Sequence, residues 1–306
     1  MSRKGWLLFG SLCVIWGIPY LLIRVAVREL PPPSLVFLRT TPAALLLLPI
    51  AWRRGELRGI LRHWVWIVAF AACEMIVPWL LLADAERTLT SSMSGLLIAS
   101  VPLICAVLYP LLGATGERLD RRRLAGLVVG FAGVACLVGI DTAGTTVLAI
   151  AEIFVAAVGY ALGPLVISRR LHGVADLGVA SLAIAVTGLL YAPWGIASLP
   201  SHLSTEVLLS VAGLAFICTA TAFLVFFALI REVGPSRSTV ITYINPLVAV
   251  LLGVVLLSEP FTVGIAVGLP LILLGSVLAT GRSPGRDAEQ LPGQADTAGD
   301  SMSLPS

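Results

Sequence analysis

Charge is what this sequence has least of: Asp, Glu, Lys and Arg make up 12% of 306 residues. A soluble domain carries about a quarter, because its surface must face water. That shortage excludes an ordinary soluble fold. Histidine is scarcer still, and His63, His172 and His202 all fall at the ends of apolar runs or between them. There is no His-Glu-x-x-His, no Gly-x-Ser-x-Gly and no Walker glycine loop, so neither an enzyme nor a nucleotide-driven pump is expected. No cofactor or metal is expected either. The five cysteines, Cys13, Cys73, Cys105, Cys136 and Cys218, lie inside apolar runs and not in loops. Disulfides and metal fingers are thereby disfavoured, leaving small apolar packing as their role. The basic loops come without an aromatic platform or recognition motif, so no nucleic-acid partner is expected.

What is present is apolar sequence in long pieces. Charge-free runs cover Gly5–Ile23, Thr88–Gly116, Leu124–Ile140, Val207–Ile230, Ser238–Ser258 and Pro260–Gly281. Each is near or above the roughly 17–25 residues that a helix needs to cross the hydrocarbon core. Three more read through a single charge: Ser34–Trp52 around Arg39, Trp64–Ala83 around Glu74, and Val147–Ser168 around Glu152. Leu177–Ser201 completes a set of ten. The runs do not alternate apolar with polar as barrel strands do. The fold class is therefore an all-α polytopic membrane protein with ten transmembrane helices. The first run follows Arg3 and Lys4, yet it is longer than a signal core and no Ala-x-Ala-like cleavage site follows, so it reads as a retained helix.

Basic residues set the expected orientation. With the N-terminus in the cytoplasm, 16 of the 20 Lys and Arg residues fall in cytoplasmic segments, and only Arg24, Arg28, Arg39 and Arg87 fall opposite. The positive-inside rule then places both termini in the cytoplasm and the chain in a bacterial-type inner or plasma membrane. From Arg282 to Ser306 the composition turns to Gly, Pro, Ser, Asp and Gln, which reads as a disordered cytoplasmic tail.

An internal repeat runs through the rest. Arg87–Leu103 lies on Arg231–Leu247 at a constant offset, matching Ser92 with Ser236, Ser94 with Ser238 and Pro102 with Pro246. After a two-residue gap, Glu117 falls on Glu259, Gly126 on Gly268 and Gly133 on Gly275. Trp16-Gly17 falls on Tyr160-Ala161. Each unit holds five spans, and an odd number makes the second copy enter from the opposite side. The expected units are residues 1–140 and 141–281, two inverted five-helix repeats, with 282–306 as the tail.

The order and duplication of these pieces resemble the EamA-type carriers of the drug/metabolite transporter superfamily. The resemblance rests on Trp16-Gly17, Leu38-Arg39, the Pro102 helix and Gly116-Glu117-Arg118-Leu119 in the first half. In the second it rests on Ser168-Arg169-Arg170-Leu171, Val233-Gly234-Pro235, Tyr243-Ile244-Asn245-Pro246 and Ser258-Glu259-Pro260. It covers about residues 5–280 and implies a ten-helix exporter or exchanger of amino acids, nucleosides, sugars or other metabolites.

Glu74 is the sharpest candidate for chemistry. A charged acid at the centre of a span costs about 2.5–3.5 kcal/mol on insertion scales, and intramembrane ionisable groups are functional by default. A carboxyl kept neutral by burial can release its proton when a cavity hydrates, so Glu74 is the expected proton-coupling group. The bland alternative is a protonated carboxyl bonded to a neighbouring helix. Ser238, Thr242, Asn245, Ala249 and Gly253 form one polar-to-small stripe at helical spacing, with Tyr243 beside it. It suits either a cavity lining or close helix packing. Trp16, Tyr20, Trp79, Tyr109 and Tyr160 are candidate pocket walls, whereas Trp52, Trp64, Trp66 and Trp194 read as interfacial anchors. Arg39 is expected to snorkel to the interface and pair with a loop acid such as Glu29. Glu152 reads as structural, and Glu117 and Glu259 as gate or helix-end residues.

The expected substrate-binding set is thus Trp16, Tyr20, Glu74, Trp79, Tyr160, Thr242, Tyr243 and Asn245. The expected function is secondary active export of a small metabolite such as an amino acid, by alternating access and coupled to protons. The expected partners are that small molecule and the lipid bilayer. Two alternatives stand beside it: multidrug efflux of hydrophobic cations, and a non-transporting membrane subunit or sensor.

Overall fold

The computed structural model describes residues 1–114, 120–140, 147–234, 238 and 240–280. Gly116-Glu117-Arg118-Leu119, Pro235 and the 282–306 tail lie outside the described residues. Among those described, every long element is helical. We number the helices α1 (Arg3–Ala26), α2 (Pro32–Arg53), α3 (Ile60–Ala85), α4 (Ser91–Leu111), α5 (Arg121–Gly139), α6 (Val147–Arg170), α7 (Asp176–Ala197), α8 (Thr205–Val233), α9 (Ile241–Leu256) and α10 (Val263–Thr280). All but α9 are long and apolar enough to cross a membrane, and α9 is a shorter apolar helix. Leu7, Leu45, Leu189 and Leu251 turn outward, fully or largely exposed, which suits a surface solvated by lipid. Trp52, Trp64 and Trp194 are likewise exposed.

Four of these helices depart from regular α geometry. Helix α1 bends at Ile18, where Pro19 removes an N–H. Helix α4 is interrupted at Ala99-Ser100, just before Pro102. Helix α3 widens into a π-helical turn over Ala72–Ile76. Pro78 has no N–H to offer the carbonyl of Glu74 four residues earlier, so the ladder is already broken there. The Tyr191 hydroxyl donates to the carbonyl of Ile76, at the end of this turn, at 2.8 Å. Helix α8 carries a π-helical stretch over Gly213–Thr221, and no proline accounts for it.

Close packing runs through glycine, since a seam without side chains lets backbones approach. A Cβ on Gly126 would stand 2.8 Å from the carbonyl oxygen of Gly275, and one on Gly133 would stand 3.0 Å from that of Gly268. Helices α5 and α10 are thus joined glycine to glycine. Gly188 and Gly195 of α7 lie against Thr40 and Phe37 of α2, and Gly17 of α1 lies against Val248 of α9. Gly159 and Gly163 of α6 lie against Cys73 and Glu74 at the π turn of α3.

Buried side chains divide unevenly between the two ends of the bundle. Around Ala26, Leu35, Ala85 and Leu89, every helix except α7 sends residues into one continuous core. Toward the other end the buried apolar residues fall into three separate clusters. One joins α2, α3, α7 and Ala220 of α8, with α6 packed against it; a second joins α1, α8 and α9, so that α8 borders both; and a third joins α4, α5 and α10.

Candidate functional site

Polar side chains meet where α2, α3, α6 and α8 approach one another. Arg39 is the eighth residue of α2, about 10 Å along its axis at 1.5 Å per residue, and its side chain is only 7% exposed. Its Nε donates to Thr219 Oγ1 at 3.0 Å, inside the π stretch of α8. Its guanidinium carbon lies 3.8 Å above the centre of the Trp79 ring, a cation–π contact sheltered from water. Tyr160 reaches the same place from α6, close to Trp79. Tyr20, just past the bend of α1, lies within electrostatic range of both Tyr160 and Arg39. The expectation that Arg39 snorkels out to pair with Glu29 is therefore corrected. Glu29 instead accepts from the backbone N–H of Ser204 at 2.8 Å, at the start of α8. That bond holds the Glu29 carboxyl below the usual carboxylate range.

Glu74 sits beside this group. It lies in the π turn of α3, within electrostatic range of Tyr160 and Tyr109. Its Oε2 is buried without a hydrogen-bond partner. The oxygen occupies the space that a side chain on Gly163 would need, so the absence of a Cβ on α6 makes room for the carboxyl. Tyr109 spans from α4 to α6, donating to the carbonyl of Ala161 at 3.0 Å.

Trp16 heads an adjoining aromatic set. Its ring centre lies 4.9 Å from that of Phe226 and 6.4 Å from that of Phe223. The α9 candidates have partners on other helices. The Asn245 amide, in the orientation that satisfies its neighbours, donates to the carbonyl of Cys13 at 3.2 Å and to that of Ile241 at 3.0 Å. Ala249 lies against Gly95, and Gly253 against Ser91, Ser92 and Glu259. The packing interpretation of the stripe expects these contacts. The Tyr243 hydroxyl lies 2.6 Å from Thr280 Oγ1, and Thr242 is exposed.

Toward the single continuous core, charged groups bind helix ends. Glu259 accepts from the backbone N–H groups of Ser91 (2.7 Å) and Ser92 (2.9 Å) and from the Ser92 hydroxyl (2.6 Å). Thr90 takes the N–H of Met93, so the first turn of α4 is capped from two directions. Arg24 donates to the backbone carbonyl of Glu86. The Glu86 carboxyl is fully buried with neither oxygen bonded. Glu152 lies within electrostatic range of Asp84. Among the described residues no three His, Cys, Asp or Glu side chains converge to hold a metal.

The EamA-like transporter family matches residues 3–139 and again 147–281. The chain belongs to the EamA-like transporter family. It is 28% identical over 284 residues to the uncharacterized inner membrane transporter YedA of Escherichia coli K12, covering 89% of this chain and 90% of that one. It is 23% identical over 286 residues to the uncharacterized transporter YvbV of Bacillus subtilis 168, covering 92% and 93%. An uncharacterized transporter of Archaeoglobus fulgidus is 24% identical over 294 residues, covering 92% and 99%. A solved crystal structure superposes with a TM-score of 0.65 at 23% identity, covering 92% of this chain and 97% of that one, which is a likeness of fold. This chain is a multi-pass membrane transporter.

Three residues of the Arg39 group and the adjoining aromatic set escaped the sequence reading in whole or part. Arg39 was legible as a charge in a span, which marks function by default, but its distance along the helix does not tell which way its face turns. Thr219 and Phe223 gave no signal in an apolar run.

Proposed function

We propose that the chain is a secondary active exporter of a small metabolite such as an amino acid, working by alternating access between two inverted five-helix repeats, 1–140 and 141–281. The observation that carries this reading is the unequal packing of the two ends: one is joined by a single core, while the buried side chains of the other fall into three clusters, two of them bordering α8. A bundle closed at one end and divisible at the other is what alternating access needs.

The inverted repeat is supported by equivalences at one offset. Arg87 and Arg231 are 144 residues apart, and the same step carries Trp16 to Tyr160 and Trp79 to Phe223. Trp16 lies edge-on to Phe223 at 6.4 Å, and Tyr160 lies near Trp79, so equivalent positions are neighbours in both halves. The π turn of α3, moved by the same step, falls within the π stretch of α8.

Trp16, Tyr20, Glu74, Trp79 and Tyr160 form the binding region in this reading, with Glu74 as the proton-coupling carboxyl. Thr242, Tyr243 and Asn245 act from α9, where Asn245 joins α9 to α1. The guanidinium of Arg39 at the centre disfavours hydrophobic cations by like-charge repulsion, which sets the metabolite reading above multidrug efflux. In proteoliposomes holding the purified chain alone, an imposed pH gradient should drive amino acids against their concentration difference. An absence of flux for every solute tried would hand the protein to the subunit-or-sensor reading.

A further inference from the structure

Arg39 presents a cation that the protein leaves half used. Its Nε is held by Thr219 and its face by Trp79. Its two terminal amino groups make no hydrogen bond to a described residue, and no described carboxylate lies within 4.0 Å of it. Glu86 is the nearest acid in electrostatic terms, but it sits at the far end of α3 and makes no bond to the guanidinium. A charge this buried is expensive unless something pairs with it. The two anchors already fix the plane and direction of the fork, so little freedom is lost when a ligand binds. The free edge of a guanidinium matches the two oxygens of a carboxylate.

We propose that Arg39 is the docking point for a carboxylate on the transported molecule, and that the substrate class is small organic acids with an apolar or aromatic flank. The carboxylate takes the two free amino groups of Arg39. Trp79, Tyr160 and Tyr20 supply flat walls for the flank and hydroxyls for a second polar group. Amino acids belong to the class through their carboxylate, while amines, nucleosides and neutral sugars fall outside it. This rests on the transport reading above and narrows it.

The test uses the full chain in proteoliposomes preloaded with a defined mixture of organic acids, amino acids, amines, nucleosides and sugars. Loss of each solute is followed by mass spectrometry against protein-free vesicles. The expected result is that every solute released by the protein carries a carboxylate. The methyl ester or amide of the best one should be released at least about tenfold more slowly, because the charge-assisted pair is gone. Arg39→Lys should also slow release about tenfold, and Arg39→Gln should abolish it. Thr219→Val should raise the apparent KM by freeing the fork to turn. If neither Arg39 variant folds, the acid-versus-ester comparison on the unaltered chain decides alone. Release of amines, nucleosides or sugars with organic acids retained overturns the proposal and leaves the transport reading standing. Equal release of the acid and its ester overturns it in the same way, whereas no release of any solute overturns both.

Discussion

Glu74 lies where α3 stops being a regular α-helix. The π turn over Ala72–Ile76 and the bare backbone of Gly163 together give its carboxyl a slot, and one oxygen there has no partner. An unpartnered carboxyl is costly to bury, and a purely structural acid would be expected to find a bond. Replacing it with glutamine keeps the shape and removes the titration. Glu74→Gln should insert and fold, because a neutral amide is cheaper to bury than a charge. It should lose uphill transport in a pH gradient and keep substrate exchange. Uphill transport at the unaltered level, with the same pH dependence, would reduce Glu74 to a packing residue. The sequence made Glu74 visible because a lone acid in twenty apolar residues is conspicuous. It misplaced Arg39, because whether a long side chain turns to the interface or to the interior depends on which helix faces it. Here the deciding partners are Trp79 on the next helix and Thr219 on α8, 180 residues away in sequence.

Between residues and the bundle stand the helix pairs, and their seams were partly written in the sequence. The glycines of α5 and α10 leave faces without side chains, and across the pair Gly126 and Gly130 meet Gly275 while Gly133 meets Gly268. The pairing itself was not legible, since a small-residue face says that something approaches and not what. The breaks at Pro19 and Pro102 were visible as prolines, but the π stretch in α8 has no such mark. The seam gives a direct expectation. A Cβ on Gly275 would collide with the backbone of Gly130, and backbone cannot swing aside as a side-chain tip can. Gly275→Ala should destabilise the protein by about 1–3 kcal/mol, the usual cost of overpacking. Gly139→Ala is the matched control, since its Cβ would meet nothing within 4 Å. Thermal unfolding in detergent should show a lowered transition for the first variant and an unchanged or raised one for the second. Equal behaviour of the two would mean that the α5–α10 contact is looser than the glycines imply.

At the scale of the whole molecule, the contacts gather alternate helix ends on one side. The start of α1 meets the end of α8, with Lys4 Nζ 3.8 Å from Glu232 Oε2. The end of α6 meets the end of α4, where Arg169 donates to the carbonyl of Leu112 at 2.9 Å. The start of α7 lies against the chain just past α2, at Gly178 and Glu56. On the opposite side, Glu29 reaches Ser204 and Glu259 reaches Ser91. Arg3, Lys4, Arg53, Arg54, Arg58, Arg62, Arg169, Arg170 and Arg231 therefore share the first side, while Arg24, Arg28 and Arg87 lie toward the second. The fold thus gathers onto one face the basic residues that the sequence could only allot by counting spans. The positive-inside rule predicts insertion with this basic face toward the cytoplasm. Alkaline phosphatase fused after Arg282 should accordingly be inactive, because the enzyme folds only once exported and oxidised. The same enzyme inserted in the short turn at Glu29 should be active. Activity at Arg282 with none at Glu29 would turn the protein over, and the end sealed by the single core would then face the cytoplasm. Activity at both sites would instead break the even number of crossings. The expected pair of results would put the divided end on the cytoplasmic side, from which the proposed exporter takes its cargo.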